Sequence, residues 1–248
     1  MFHFDYKTIL KNKNLHYIYE KSDCIQVLTT NDLIETKKII KKPMITLINN
    51  AVPQFKELSE LEKPYIINIA RIEQNQKRQH LLIESFAKIN NKYPNWKVKI
   101  YGEINFDQKY YNECCQLISK YNLDNLVEFC GKTDDIKGEL LNSSIFAFPS
   151  AFEGFPLALT EAMSLGLPSV GYSSCSGTNE VIKDNVSGFL VDDGVEPFAQ
   201  ALDKLMCDKE LRVKMGKAAK EEMKKYAPEK IWDQWEDLIY TLAKNRGK

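Results

Sequence analysis

The chain lacks long apolar segments and the usual patterns of metal and disulfide sites. No apolar run of about 18 or more residues occurs in its 248 residues, so the sequence contains no candidate membrane-spanning helix. The six cysteines include no C-x-x-C pair and the three histidines are scattered, so neither a redox motif nor a metal site is predicted. We therefore expect the thiols to be reduced, as in a cytoplasmic protein. The protein is expected either to be free in the cytoplasm or to attach peripherally to the inner face of a membrane.

Two phosphate-binding motifs and any overall charge bias are absent as well. No G-x-G-x-x-G follows an apolar run and no G-x-x-x-x-G-K-[ST] occurs, which argues against a dinucleotide-dependent dehydrogenase and a P-loop nucleotidase. Lys and Arg together number 34, as do Asp and Glu, so no net charge favours nucleic acid. The adjacent Asp134 and Asp135 begin a predicted helix, where acidic caps are favoured over metal ligands.

Short apolar runs alternate with helical patterns along the chain. The alternation predicts an α/β protein with a Rossmann-like, doubly wound parallel sheet. In such sheets ligands bind beyond the carboxyl ends of the strands, where residues 71, 131 and 150–156 are expected to lie. Strands are predicted at 24–29, 44–48, 65–70, 97–102, 126–130, 145–149, 168–172 and 188–191, and helices at 31–40, 77–93, 107–121, 134–143, 157–165, 178–183 and from 195 onward. Asn31 is the predicted N-cap of the first of these helices.

The stretch E-G-F-P-L-A-L-T-E from Glu153 to Glu161 is the most informative part of the sequence. It joins a predicted strand to a predicted helix, so backbone N–H groups at the helix start are free to bind an anion. Gly154 permits close approach of a ligand, and Pro156 suits the first helical position. Carboxylates accept hydrogen bonds from hydroxyls, so the mixture predicts a nucleotide-sugar site. The alternative is a helix start with two solvated glutamates.

A second group of residues is basic. Arg71 ends a predicted strand and Lys77 begins the next helix, so both could reach an anion at the sheet edge. The neighbouring Arg78 could share or replace the role of Lys77. Two solvated surface cations are the alternative interpretation.

These residues and their surroundings resemble the donor-binding signature of the group 1 retaining glycosyltransferases, which have the GT-B architecture of two Rossmann-like domains facing a cleft. The resemblance rests on the E-x(7)-E pattern and on the segments E-A-M-S-L-G-L-P-S-V at 161–170, S-G-T-N-E-V-I at 176–182 and N-V-S-G-F-L-V at 185–191. Three features depart from the family. Ala70 stands where glycine is usual, the following loop I-E-Q-N-Q-K-R at 72–78 is one residue longer than its commonest form, and the loop Gly102–Asn105 lacks a second glycine.

The resemblance implies a role for each candidate residue. Arg71 and Lys77 would grip the donor diphosphate during catalysis, and Glu153 would hold hydroxyls of the donor sugar. Glu161 would hold the ribose. The remaining donor-binding positions would act through the backbone, facing the sugar, the phosphates or the base: Gly154, Phe155, Pro156, Leu157, Gly131 and Lys132. Glu180 is either a ligand contact or a helix-terminal charge.

The resemblance also predicts the domain organisation. Residues 1–50 would be a remnant of the amino-terminal, acceptor-side domain, and 51–63 would be a linker. Residues 64–226 would form the nucleotide-sugar-binding domain, and 227–248 a helix that crosses back toward the first domain. Its apolar stripe would be partly unpartnered, or else packed on its own domain, and runs through Ile231, Trp232, Trp235, Leu238, Ile239 and Leu242.

The predicted function is transfer of a hexose from a nucleotide-sugar, with UDP as the expected nucleotide, to a saccharide or lipid-linked acceptor. The donor is a substrate, and neither a cofactor nor a metal is expected. A partner chain, or self-association through residues 1–50 and the last helix, would complete the cleft. A nucleotide-sugar 2-epimerase and a non-catalytic binding subunit remain as alternatives.

Overall fold

The computed structural model describes residues 13–246. The first twelve residues of the predicted segment 1–50, and the last two of 227–248, lie outside the described residues. The region between contains ten α-helices and eight strands, joined in several places by single turns of 3-10 helix.

The elements follow one another in the alternating order that the sequence predicts. The strands are β1 Cys24–Val27, β2 Met44–Leu47, β3 Tyr65–Ile69, β4 Lys97–Tyr101, β5 Val127–Gly131, β6 Ile145–Phe148, β7 Ser169–Tyr172 and β8 Gly188–Val191. The helices are α1 Lys13–Lys21, α2 Thr30–Ile39, α3 Gln79–Ile89, α4 Gln108–Lys120, α5 Ile136–Leu141, α6 Leu157–Ser164, α7 Thr178–Val181, α8 Val195–Cys207, α9 Lys209–Met223 and α10 Pro228–Arg246.

Six strands form one parallel sheet in the order β5-β4-β3-β6-β7-β8. From β3 the chain proceeds outward to β5, and it then returns to the centre as β6 and proceeds outward in the opposite direction. The strand order therefore reverses between β3 and β6, and ligands of open α/β sheets bind at the carboxyl side of such a reversal. The prediction of an α/β, Rossmann-like, doubly wound sheet is confirmed.

Both faces of this sheet are covered by helices, which explains why its central strands are almost wholly apolar. On one face α3, α4 and α8 pack around a core that includes Phe86, Tyr110 and Phe198. On the other face α6 and α9 enclose a second core around Phe146 and Met163. No helix within residues 13–246 combines the length and apolar character needed to span a membrane.

Strands β1 and β2 form a separate two-stranded parallel sheet, with α1 and α2 beside it. A small core of Ile25, Val27 and Ile40 holds this unit together. The structure corrects the predicted start of α2. Thr29, and not Asn31, is the N-cap, because the Thr29 hydroxyl accepts a hydrogen bond from the Asp32 N–H at 3.0 Å.

The apolar stripe on α10 is divided between buried and exposed positions. Ile231 is buried at 2% exposure, whereas Trp232 and Ile239 are each 61% exposed. Trp235, Leu238 and Leu242 are half-buried. The stripe is thus partly unpartnered within the described residues, in agreement with the first of the two expectations.

Candidate functional site

A cavity of about 520 Å³ opens at the carboxyl edge of the large sheet, beside the reversal between β3 and β6. The loops that follow four parallel strands, β3 to β6, meet there because parallel strands end at the same edge. Most of the predicted site residues line this cavity: Arg71, Lys77, Gly131, Lys132, Glu153, Phe155, Pro156 and Leu157.

Lys77 and Glu153 form an ion pair across the strand reversal. Lys77 Nζ lies 2.6 Å from Glu153 Oε1, and the two side chains are only 12% and 9% exposed. Lys77 lies in the loop after β3, and Glu153 lies in the loop after β6. The prediction that Lys77 begins the next helix is wrong, because α3 begins at Gln79. The family resemblance implies phosphate for Lys77 and sugar for Glu153, but it does not indicate that the two residues contact each other. In this arrangement each charge neutralises the other, so a ligand that binds Lys77 competes with Glu153.

Arg71 is more accessible, with 52% of its side chain exposed. Its guanidinium donates a hydrogen bond to Gln76 Oε1 at 3.1 Å and lies 3.4 Å from a Glu73 carboxylate oxygen. The guanidinium carbon also sits 4.8 Å from the centre of the Phe106 ring. These contacts hold the cation at the mouth of the cavity without burying it, which suits a group that binds a phosphate.

The turn from Glu153 to α6 presents backbone donors. Helix α6 begins at Leu157, so Pro156 precedes the first helical residue, and the prediction that Pro156 occupies that position is wrong by one residue. Pro156 supplies the carbonyl that accepts from Thr160 N–H at 3.0 Å. Within the described residues, no acceptor is found for the N–H groups of Gly154, Phe155 and Leu157. These donors and the positive end of α6 make a corner whose chemistry suits an anion.

The position of this turn depends on Gly177, at the start of α7. Gly177 has φ +79°, and a Cβ there would lie 2.4 Å from the Gly154 carbonyl oxygen. Any larger residue would push the turn away from β7. The Ser176 carbonyl also accepts a hydrogen bond from Glu153 N–H at 3.2 Å. The glycine of the S-G-T-N-E segment thus supports the turn that carries Glu153.

Glu161 lies on α6, one turn beyond Leu157 and Ala158, which both line the cavity. Its side chain is half-buried, and burial raises the pKa of the carboxyl above its usual value. No hydrogen bond or ion pair of this carboxylate is found within the described residues. A partly buried acceptor without a protein donor is suited to hydroxyl groups of a ligand.

The loop after β4 approaches the end of β3 closely. A Cβ on Gly102 would lie 1.9 Å from the Ala70 carbonyl oxygen, so this glycine is required although Ala70 replaces the usual glycine beside it. Gly102 N–H donates to the Gly131 carbonyl at 2.9 Å, and that carbonyl is therefore already engaged. Lys132 pairs with Glu103 at 3.1 Å on the exposed rim of the cavity.

Arg78 does not share the role of Lys77. Its guanidinium donates to the carbonyls of Pro149 and Ser150 at 3.0 and 3.1 Å, and to Asp193 at 3.0 Å. All three partners are protein groups outside the cavity, so Arg78 anchors the loop after β6.

Glu180 and Asp135 both act on helix ends. The Glu180 carboxylate accepts hydrogen bonds from Thr30 N–H at 2.8 Å and Asn31 N–H at 3.1 Å, at the start of α2. Glu180 is therefore a helix-terminal charge, although the helix is not its own. Asp135 caps α5 through Gly138 N–H at 2.8 Å, as predicted. Within residues 13–246, no three His, Cys, Asp or Glu side chains are grouped as metal ligands.

A second cavity, of about 780 Å³, lies between the small sheet and the large one. It shares Arg71, Lys77, Glu153 and Phe155 with the first cavity. Polar side chains of β1, α2 and the segment after β2, together with two tryptophans of α10, contribute to its wall: Gln26, Asp32, Asn49, Asn50, Trp232 and Trp235. The wall of this second cavity comes from segments that are far apart in the chain.

The parallel sheet, with cations and backbone donors at its strand reversal, defines a Rossmann-like domain. The family model for group 1 glycosyl transferases matches residues 52–222, and this chain belongs to that family. The match favours a transferase over both the epimerase and the non-catalytic subunit.

Three known proteins illustrate the similarity. An exopolysaccharide phosphotransferase of Streptomyces coelicolor is 31% identical over 229 residues, which are 90% of this chain and 24% of that protein. An Escherichia coli UDP-Gal:α-D-GlcNAc-diphosphoundecaprenol α-1,3-galactosyltransferase is 30% identical over 146 residues, 58% of this chain and 36% of the relative. The crystal structure of an S. aureus TarM mutant with fondaparinux, α-GlcNAc-glycerol and UDP has 26% identity and a TM-score of 0.79, covering 92% of this chain. This chain spans 46% of that TarM chain, so it corresponds to part of each relative.

Proposed function

We propose that this chain binds a nucleotide-sugar, with a UDP-hexose as the expected donor, and supplies the donor side of a retaining hexosyl transfer. The acceptor class we propose is a saccharide or a lipid-linked saccharide. Two relatives support this assignment through their names, since one uses UDP-Gal and a diphosphoundecaprenol-linked acceptor and the other was crystallised with UDP and α-GlcNAc-glycerol.

The observation that carries the proposal is the convergence of donors on one corner of the cavity. Arg71, Lys77 and the unpaired N–H groups of residues 154, 155 and 157 all come from the two loops that flank the strand reversal. Transfer breaks the bond between the sugar C1 and a diphosphate oxygen, and negative charge grows on the leaving diphosphate. Preorganised donors aimed at that charge lower the barrier. Because this corner supplies positive charge itself, we propose that binding needs no metal.

The two glutamates of the E-x(7)-E pattern would each bind one of the remaining parts of the donor. Glu161 would accept hydrogen bonds from the ribose hydroxyls, which suits a half-buried carboxylate without a protein donor. Glu153 would accept from the sugar hydroxyls once Lys77 turns toward the diphosphate. In the retaining reaction we propose, an oxygen of the leaving diphosphate takes the proton of the attacking acceptor hydroxyl, because Glu153 is then committed to the hydroxyls of the donor sugar.

Calorimetric titration with UDP and with a UDP-hexose tests this division. Glu161→Ala should weaken binding of both ligands by about tenfold or more, the effect of losing a charged hydrogen bond. Glu153→Ala should leave UDP binding unchanged or tighter, because Lys77 loses its competitor, but should abolish the extra affinity that the hexose provides. Glu236→Ala, an exposed position on α10, is the matched control. Equal losses of UDP affinity in both site variants would contradict the assignment.

A further inference from the structure

Gln76 makes three contacts that no pattern in the sequence indicates. Its side-chain oxygen accepts from Arg71 Nη2 at 3.1 Å, and its side-chain nitrogen donates to the Phe152 carbonyl at 3.0 Å. Its backbone carbonyl accepts from Ala151 N–H at 2.7 Å. One residue thus links the exposed cation of the β3 loop to the segment that leads into Glu153.

The two side-chain contacts require a group that both donates and accepts hydrogen bonds, as a side-chain amide does. A guanidinium can only donate and a backbone carbonyl can only accept, so the residue between them must do both. A glutamate could accept from Arg71 but could not donate to Phe152 when ionised. A lysine could donate but could not accept. The same logic fixes the orientation of the Gln76 amide, with its oxygen toward Arg71.

We propose that Gln76 is a positioning residue for nucleotide-sugar binding. It orients the Arg71 guanidinium toward the diphosphate and connects Arg71 to the loop that carries Glu153. Without the Gln76 oxygen, the contacts of the Arg71 guanidinium that remain within the described residues are its 3.4 Å approach to Glu73 and the Phe106 ring. An arginine that is about half exposed would then sample other rotamers, and binding would have to order it again. This inference rests on the proposed function, since it assumes that Arg71 binds the diphosphate.

A double-mutant cycle with Arg71 tests the proposal. Gln76→Ala should weaken UDP binding by about fivefold to tenfold, within the range of measured coupling energies between contacting residues. In the Arg71→Ala background the same change should have no further effect, because Gln76 acts through Arg71. Affinity for uridine, which has no phosphate, should be unchanged by Gln76→Ala in ligand-observed NMR titrations. Gln200→Ala, an exposed glutamine on α8, is the control.

The outcomes separate this proposal from the proposed function. Equal losses of UDP affinity in both backgrounds, an equal loss for uridine, or no loss at all would overturn the role of Gln76 and leave the nucleotide-sugar site intact. Absence of UDP binding by the unaltered chain would overturn the proposed function. In that event hydrogen exchange decides whether Gln76 links the loops. The Ala151 amide should exchange several-fold faster in Gln76→Ala than in the unaltered chain, and an unchanged rate would overturn the link.

Discussion

At the scale of single residues, the ion pair of Lys77 and Glu153 dominates the site. Removing one partner leaves the other charge nearly buried and unpaired, a change that costs about 3 kcal/mol or more in comparable buried pairs. We therefore expect Lys77→Met to lower the free energy of unfolding strongly. The double variant Lys77→Met, Glu153→Gln keeps the shape without either charge and should recover most of that loss.

Chemical denaturation of the three proteins checks this prediction, with the midpoint and the slope compared. Both variants should lose UDP affinity, since each lacks Lys77. A double variant that is no more stable than Lys77→Met would show that the unpaired Glu153 charge is not the cause of the lost stability.

The Glu161 carboxylate should lower the stability of the protein while favouring ligand binding, and the loss of stability should depend on pH. Burial raises the pKa of its carboxyl in the folded state, so the folded protein disfavours the ionised form. The resulting penalty is absent below the ordinary Glu pKa and grows as the pH rises through the raised value. Glu161→Gln should therefore be more stable than the unaltered chain at pH 7, and the difference should vanish in acid.

Thermal unfolding of both proteins between pH 4 and pH 8, without nucleotide, measures this difference. The same variant should bind UDP more weakly at pH 7, because a neutral amide is a poorer acceptor for hydroxyls. A stability difference that stays constant across the pH range would contradict the burial argument.

At the scale of elements, α2 begins on a carboxylate from another part of the chain. Glu180 accepts from two amides at the start of α2, where a negative charge typically contributes about 0.5–2 kcal/mol. We expect Glu180→Ala to speed hydrogen exchange at the Thr30 and Asn31 amides and to loosen the small sheet against the large one. The control variant Glu236→Ala should change neither the exchange of these amides nor the packing of the small sheet. Unchanged protection at both amides would show that Glu180 does not hold α2 in solution.

Most of the elements were predictable from the sequence, α1 being an exception, whereas the contacts between them were not. Periodicity located β3 and β6 within a residue or two, because both strands are buried and bounded by polar turns. Their adjacency in the sheet is a property of topology, which brings Lys77 to Glu153 across 76 positions of sequence. The cap at Thr29 was missed for a local reason, since Thr29 and Asn31 are both good N-caps and lie two residues apart.

At the scale of the whole molecule, two cavities share one wall. The smaller faces the loops of the large sheet, and the larger lies between that sheet and the small one. Arg71, Lys77, Glu153 and Phe155 border both, so a donor in the first cavity and a hydroxyl group in the second could meet at these residues. This arrangement is consistent with a transferase, in which two substrates must be held together.

The proposed function requires that the corner formed by Arg71, Lys77 and the start of α6 bind a nucleoside diphosphate without metal. Calorimetric titration with UDP, with and without EDTA, measures this binding. We expect equal affinity in both conditions, a loss of about tenfold or more in an Arg71→Met, Lys77→Met double variant, and no change in Lys217→Met, an exposed position on α9. Binding that disappears with EDTA, or that survives in the double variant, would contradict it.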